Sequence, residues 1–436
     1  MSMNSLVSRS VLWMMAAVLA WTTVQQAMVV PTAQAVSYTV TNGPLFNNPY
    51  GSTAEQRKIL DQVKNAIANT PKKSVIRIAT YSIRDAKIYD AIKAAKAKGA
   101  IIQIVIDDHA YYQDDDDDTL NPKEKKDTKM LEALKTLLGT DTKDRTKSFI
   151  KICTNGCMSD SPYTTQHAKF YMFSTTGKSK LVSLVSSSNL TPGHTMAWND
   201  MYRVVGNDTL YNKLKDYFYE MVKEDDDKVN YYYQNVEVSP SIRLYTFPRD
   251  IDDNGDDVHY TMLSKIKCTG MASGYGYKGK TVINIAMFKW TDSRDDVAKK
   301  LRQLADDGCI VKVLTSQKSF EDSIRKILLA PKDKKASTIQ VKGADYTKDD
   351  EHIYYMHSKF IAINGYYDDP VLTETQRKSA KIVFMGSPNL SSTAIRSNSE
   401  VMLRLRSGTV QASYNSHFLT MWNNSHSKTI KYVDPN

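Results

Sequence analysis

The sequence predicts an α/β fold written twice in one chain. Three observations carry this: the length, a repeated strand–helix–strand pattern, and a set of polar residues that recurs at matched spacings. The chain has 436 residues, 41% hydrophobic and 24% charged, a balance that excludes disorder. The length is about twice what one compact α/β unit needs. With 58 Lys+Arg against 48 Asp+Glu the formal charge is +10, which permits a polyanionic partner without demanding one.

The first 35 residues read as a leader rather than fold. Arg9 precedes an apolar run from Val11 to Trp21, and Ala33-Gln34-Ala35 has the small-x-small pattern that signal peptidases cut after. The apolar run is too short to span a bilayer as a helix. The reading is secretion, with a mature chain that starts at Val36 and carries +9; a retained anchor is the competing reading.

The repeat begins at Ile76–Tyr81, an alternating strand, followed by a helix over Ala86–Lys98, then Gly99 and a strand over Ile101–Ile106. It returns as a strand over Ile283–Phe288, a helix over Arg294–Asp306 with apolar Val297, Leu301 and Leu304, Gly308, and a strand over Ile310–Leu314. Each glycine falls where a helix end favours a left-handed residue. Such a unit implies parallel strands with a right-handed crossover. The halves are expected to span 36–235 and 236–436, divided near the acidic stretch Glu224–Asp227, Tyr231–Tyr233 and Pro240.

In an oxidising compartment the four cysteines read as two bridges. Cys153 and Cys157 bracket a tight turn, which leaves Cys268 with Cys309; zinc is disfavoured because no His pair stands at finger spacing. Asp114–Asp118 reads as a solvated loop. Asp250–Asp257 imitates the start of a calcium loop, but Thr261 stands where the closing Glu belongs.

Each half then carries a His-x-Lys at the start of an apolar strand, His167-Ala168-Lys169-Phe170 and His357-Ser358-Lys359-Phe360. Residues two apart on a strand share a face, so each imidazole stands beside its lysine while Phe170 and Phe360 face the other way. A second strand follows in each half and ends in Ser187-Ser188-Asn189-Leu190 or Ser387-Pro388-Asn389-Leu390. His to Asn is 22 residues in the first half and 32 in the second, the excess being the polar insert Tyr366–Ser379. Asn to the next acid is 11 residues in both, which pairs Asp200 with Glu400.

Two His, two Lys and two Asn suit a phosphate diester. Lysines and amides clamp the non-bridging oxygens and bind more strongly as charge builds in the transition state. One His can attack phosphorus while the other protonates the leaving oxygen and then activates water. An acid against each imidazole would fix its tautomer. The scheme calls for no metal or other cofactor.

In these motifs the chain resembles the phospholipase D superfamily, whose signature is His-x-Lys-x4-Asp followed by Gly/Ser-x-Asn, carried twice. The resemblance implies two α/β halves, each a mixed sheet flanked by helices, related by a pseudo-twofold with one active site at their interface. It also implies a phosphohistidine intermediate, with His167 as nucleophile, His357 as general acid, and Lys169, Lys359, Asn189 and Asn389 on the phosphate. In both halves the motif's Asp is replaced, by Ser174 and Asn364. Among the other histidines, His194 is the exception to a surface reading because it follows Asn189 in the same loop. The expected partner is phospholipid at a membrane surface, with nucleic acid as the alternative and a catalytically weak polyanion binder as the third reading. A chain that carries both motifs needs no second copy. The abundant tyrosines read as half-buried packing.

Overall fold

The structure, a computed structural model, describes residues 38–111, 129–159, 164–223, 231–250, 257–332, 335–347 and 353–432. The leader, the acidic runs at 114–118 and 224–227, and positions 251–256 of the calcium-like loop lie outside them. Asp257 itself caps the helix Val258–Ser264 and pairs with Arg294 at 2.6 Å.

Both predicted helix ends close in the same way. Helix Ala86–Ala97 ends with Gly99 at φ +91°, where Gly99 N–H donates to Lys96 O and Ala100 N–H to Ala95 O. Helix Asp295–Asp306 ends with Gly308 at φ +98°, where Gly308 donates to Ala305 O and Cys309 to Leu304 O. This paired closure satisfies two orphan carbonyls and needs a left-handed residue, which glycine adopts without strain. The chain is thereby returned into a strand parallel to the one it left: Val75–Thr80 pairs with Ile101–Asp107, and Val282–Met287 with Ile310–Thr315.

Each parallel pair lies within a larger sheet, and the order is the same in both. The first sheet runs Gly43–Phe46, Asp200–Val205, Ser179–Ser186, Phe170–Thr176, Val75–Thr80, Ile101–Asp107, Phe149–Cys153. The second repeats it as Ile242–Phe247, Glu400–Arg406, Ala380–Gly386, Lys359–Tyr367, Val282–Met287, Ile310–Thr315, Gln340–Gly343, with short strands added at both edges. The His-x-Lys strands are antiparallel to their neighbours on both sides, so both sheets are mixed, as the resemblance implied.

Strand alternation then sorts the core into three layers. Phe170, Met172, Phe360 and Ala362 face an inner layer between the sheets, filled by helices Asp208–Lys223 and Gly408–Trp422. Tyr171 and Phe173 face an outer layer under the helices Lys58–Ala68, Ala86–Ala97 and Lys129–Leu138. Ile361 and Ile363 do the same under Asp295–Asp306 and Asp322–Leu329.

The expected bridges Cys153–Cys157 and Cys268–Cys309 are both present. The second closes a separation of 41 residues, where restricting the unfolded chain is worth about 4 kcal/mol in the entropic account. Of the conspicuous tyrosines among the described residues, Tyr367 is buried against Phe384 and Tyr233 lies under the Arg249 guanidinium, whereas Tyr231 is exposed. No helix among the described residues is long and apolar enough to cross a membrane.

One inner-layer side chain sets a pH dependence. His417 is buried against Phe46, with ring centroids 4.2 Å apart, and burial pushes its pKa from 6.5 down to about 3. The folded state therefore refuses a proton that the unfolded chain accepts, so stability is lost as pH falls from about 6.5 toward 3. His417→Phe keeps the ring stack and removes the titration. Thermal melts should show its advantage over wild type growing as pH falls through that window; a constant difference would contradict it.

Candidate active site

The two sheets meet through backbone exchanged in both directions. Gln166 forms a parallel bridge with Ser399, in which Ser399 N–H donates to Thr165 O at 3.1 Å and His167 N–H to Ser399 O at 3.0 Å. In the other direction Tyr355–Met356 pairs in parallel with Ala197–Trp198, and His357 N–H donates to Trp198 O at 3.0 Å. Each catalytic-type strand is thus pinned, one residue before its lysine face begins, to the other half.

The residue after each bridge reaches the other half's imidazole. Glu400, following Ser399, accepts from His167 Nδ1 at 2.8 Å. Asn199, following Trp198, accepts from His357 Nδ1 at 3.0 Å. The amide orientation is settled by its surroundings: Oδ1 also accepts from Ser187 Oγ at 3.0 Å, while Nδ2 donates to the carbonyls of Ala197 and His194. Oδ1 is therefore an acceptor, and His357 carries its proton on Nδ1.

Asp200 is not at His357, and the expected pair of acids is corrected. Ser187 N–H donates to Asp200 O, whereas Ser387 N–H donates to Val401 O; strand register agrees, with Ser186 opposite Met201 and Gly386 opposite Met402. The structural mates are Asn199 with Glu400 and Asp200 with Val401. Equal spacing from the Asn was misleading because the second half has one more residue between Asn389 and the strand, and a one-residue shift exchanges the faces. Asp200 consequently points into the inner layer, where Tyr414 Oη donates to it at 3.2 Å, and burial raises its pKa to about 6. A sequence signal existed in Arg203 and Arg404, which follow Asn199 and Glu400 by the same four residues.

Lys169 and Lys359 are both buried, each against an aromatic that the sequence reading missed. Lys169 Nζ lies 5.5 Å from the Tyr81 ring centre and Lys359 Nζ 5.0 Å from that of Phe288. Tyr81 and Phe288 are the matching residues at the ends of the repeated strands, which was the available signal. The same rings flank the imidazoles, Tyr81 at 6.0 Å from His167 and Phe288 at 4.8 Å from His357. Lys359 Nζ also lies 2.8 Å from His357 Nε2. Buried ammonium groups are costly, and ring faces recover only part of that cost. A bound anion beside such a group would recover more.

Asn189 is buried in the loop after Ser179–Ser186, its backbone N–H donating to His194 Nδ1 at 3.2 Å. His194 is therefore in the site, as its place in the sequence suggested, with its ring 4.6 Å from that of His357. Asn389 holds the matching position at the end of Ala380–Gly386, and among the described residues its Oδ1 has no hydrogen-bond partner. Outside this set, Asp107 accepts from Gln166 N–H at 2.5 Å and from His109 Nδ1 at 2.6 Å. Its hydrogen bond to His109, supported by Asp108, raises the His109 pKa to about 10. Asp107, Asp108 and His109 are close enough to share a cation, but Asp107 already accepts three hydrogen bonds, the third from His109 N–H at 2.9 Å, and is ion-paired with the His109 ring.

The absent motif aspartates are remote from this chemistry. Ser174 Oγ accepts from Val75 N–H at 2.8 Å, and Asn364 Oδ1 from Gly276 N–H at 3.1 Å. At about 3.3 Å per strand residue, seven residues place each of them about 23 Å from its histidine.

Two halves of this topology, with His-x-Lys strands pinned across a seam, define a phospholipase D-like protein. A family model described as cardiolipin synthase, phospholipase D-like domain, matches residues 63–222 and 278–422, and the chain belongs to that family. Among solved structures, phosphatidylserine synthase of Haemophilus influenzae Rd KW20 is similar in fold, with 12% identity, a TM-score of 0.54, and coverage of 90% of each chain. Polyphosphate kinase of Porphyromonas gingivalis has 12% identity and a TM-score of 0.51; it covers 90% of this chain, which spans about half of the kinase (53%). No curated protein sequence matches the chain.

The asymmetric imidazole partners have a kinetic consequence. Glu400→Gln removes the charge that faces His167 and should lower kcat by about 10²-fold or more, the scale of losing an orienting carboxylate. Asp200→Asn, which touches neither imidazole, should cost less than about fivefold, since it leaves both histidine hydrogen bonds in place. Equal losses in steady-state kinetics would contradict the assignment.

Proposed function

We propose that the protein is a secreted phosphodiesterase that hydrolyses the headgroup diester of a phospholipid through a phosphohistidine on His167. The observation that carries this reading is the pairing of a carboxylate with one imidazole and an amide with the other across the seam. The neutral imidazole of His167, its Nδ1–H on Glu400, has its lone pair on Nε2. Attack at phosphorus leaves positive charge on that ring, and Glu400 stabilises it. His357, with one proton held on Nδ1 by Asn199, delivers a second from Nε2 to the departing headgroup oxygen. The same nitrogen then takes a proton from water, whose oxygen breaks the P–N bond and releases phosphatidate. Lys169, Lys359, Asn189 and Asn389 hold the non-bridging oxygens.

A phospholipid substrate is favoured by the presence of both half-sites in one chain, which needs no second copy, and by the description of the matching family model. The leader pattern and the two bridges support export. Contact with the membrane is transient in this reading. The second reading is a nuclease of the same superfamily, favoured by the basic net charge.

The mature protein, incubated in EDTA with phosphatidylcholine vesicles, should release choline, and His167→Ala and His357→Ala should each abolish the release. Plasmid and single-stranded DNA serve as parallel substrates. Strand cleavage without choline release would transfer the assignment to the nuclease, and turnover of neither would leave a polyanion binder.

A further inference from the structure

His194 has no counterpart in the second half, where the loop after Asn389 runs Ser391-Ser392-Thr393-Ala394-Ile395. It is nonetheless buried at the centre of the site and touches groups from both halves. Its ring stands edge-on to His357, with planes at 86° and centroids 4.6 Å apart. Its nitrogens both face Asn189: Nδ1 accepts the Asn189 backbone N–H at 3.2 Å, and Nε2 lies 3.1 Å from the side-chain amide.

Proton accounting decides the direction of the second contact. A backbone N–H can only donate, so Nδ1 holds a lone pair and the ring proton is on Nε2. Nε2–H then needs an acceptor, and the only acceptor an asparagine amide offers is its oxygen. The half-turn of the Asn189 amide that places Oδ1 against Nε2 gives that N–H an acceptor, whereas NH2 against N–H sets two donors face to face. With the oxygen so held, the NH2 takes the amide's other position, away from the His194 ring.

We propose that His194 is a positioning residue of the phosphate site: it fixes the Asn189 amide so that its NH2 is the donor offered to a phosphoryl oxygen, and its ring limits rotation of His357. The inference rests on the phosphodiesterase reading for its ligand but not for its geometry. It adds to that reading a residue that acts through Asn189 and need not touch the substrate.

The test uses inorganic phosphate as probe, with calorimetric affinity measured on the mature protein. His194→Phe keeps a ring against His357 and removes both nitrogens; its phosphate dissociation constant should rise about tenfold or more, the loss expected for a misdirected charge-assisted donor. His194→Gln, which retains an acceptor and a donor, should recover most of that loss. Phosphate binding by His194→Phe at wild-type affinity would overturn the proposal, as would equal impairment of both variants, which would assign a purely steric role. If the phenylalanine variant does not fold, the glutamine variant alone decides: affinity within a few-fold of wild type supports the proposal and a tenfold loss opposes it. A ligand-free readout separates this inference from the functional reading. The side-chain 15N–1H2 resonances of Asn189 should shift in His194→Phe even if wild type binds no phosphate and turns over no diester; unchanged resonances would overturn the positioning role independently.

Discussion

The site depends on two backbone hydrogen bonds that cross between the sheets, His167 N–H to Ser399 O and His357 N–H to Trp198 O, each 3.0 Å. Backbone bonds at such a seam fix position more tightly than side-chain contacts would, because they leave no rotamers to choose. They also set which residue follows the bridge, and so which side chain meets the opposing imidazole. Nearby contacts reinforce one of them: Asn398 Oδ1 accepts from Thr165 N–H at 3.0 Å, and Ser399 Oγ donates to Gly156 O within the Cys153–Cys157 loop. That bridge spans only four positions in the sequence and constrains little of the unfolded chain. Its effect falls on the loop that supports Ser399, and so on Glu400.

From this seam follows the inequality of the two histidines. A perfect twofold would give both imidazoles the same partner and leave nucleophile and acid undistinguished. Here one faces a carboxylate and the other a neutral amide, so the two rings differ in how well their cationic forms are stabilised. Environments that differ across a pair of titratable groups are what separate their chemical roles. The buried lysines remain matched, each on an aromatic face.

Much of this was legible in the sequence where the signal was local. Gly99 and Gly308 marked helix ends by the left-handed geometry required there, and the His-x-Lys strands announced a polar face backed by Phe170 and Phe360. The Cys153–Cys157 pair followed from spacing and Cys268–Cys309 as the pair that remained, and His194 from proximity to Asn189. What was missed involved register between distant segments. Asp200 was matched to Glu400 by equal distance from an asparagine, although a single additional residue had moved it to the core face. Asn199 was hidden for the same reason, since its role depends on the bridge at Trp198 and Met356, a contact no local pattern encodes. Tyr81 and Phe288 looked like ordinary strand residues, and only the alignment of the two repeats marks them as equivalent.

The central claim is that the carboxylate-backed imidazole carries the phosphoryl group and the amide-backed one does not. An alkaline quench of the protein during turnover of phosphatidylcholine, followed by peptide mapping of phosphohistidine, tests it directly. The account predicts phosphate on the peptide that contains His167, with none on the peptide that contains His357. Modification of His357, or of neither histidine while turnover continues, would contradict it.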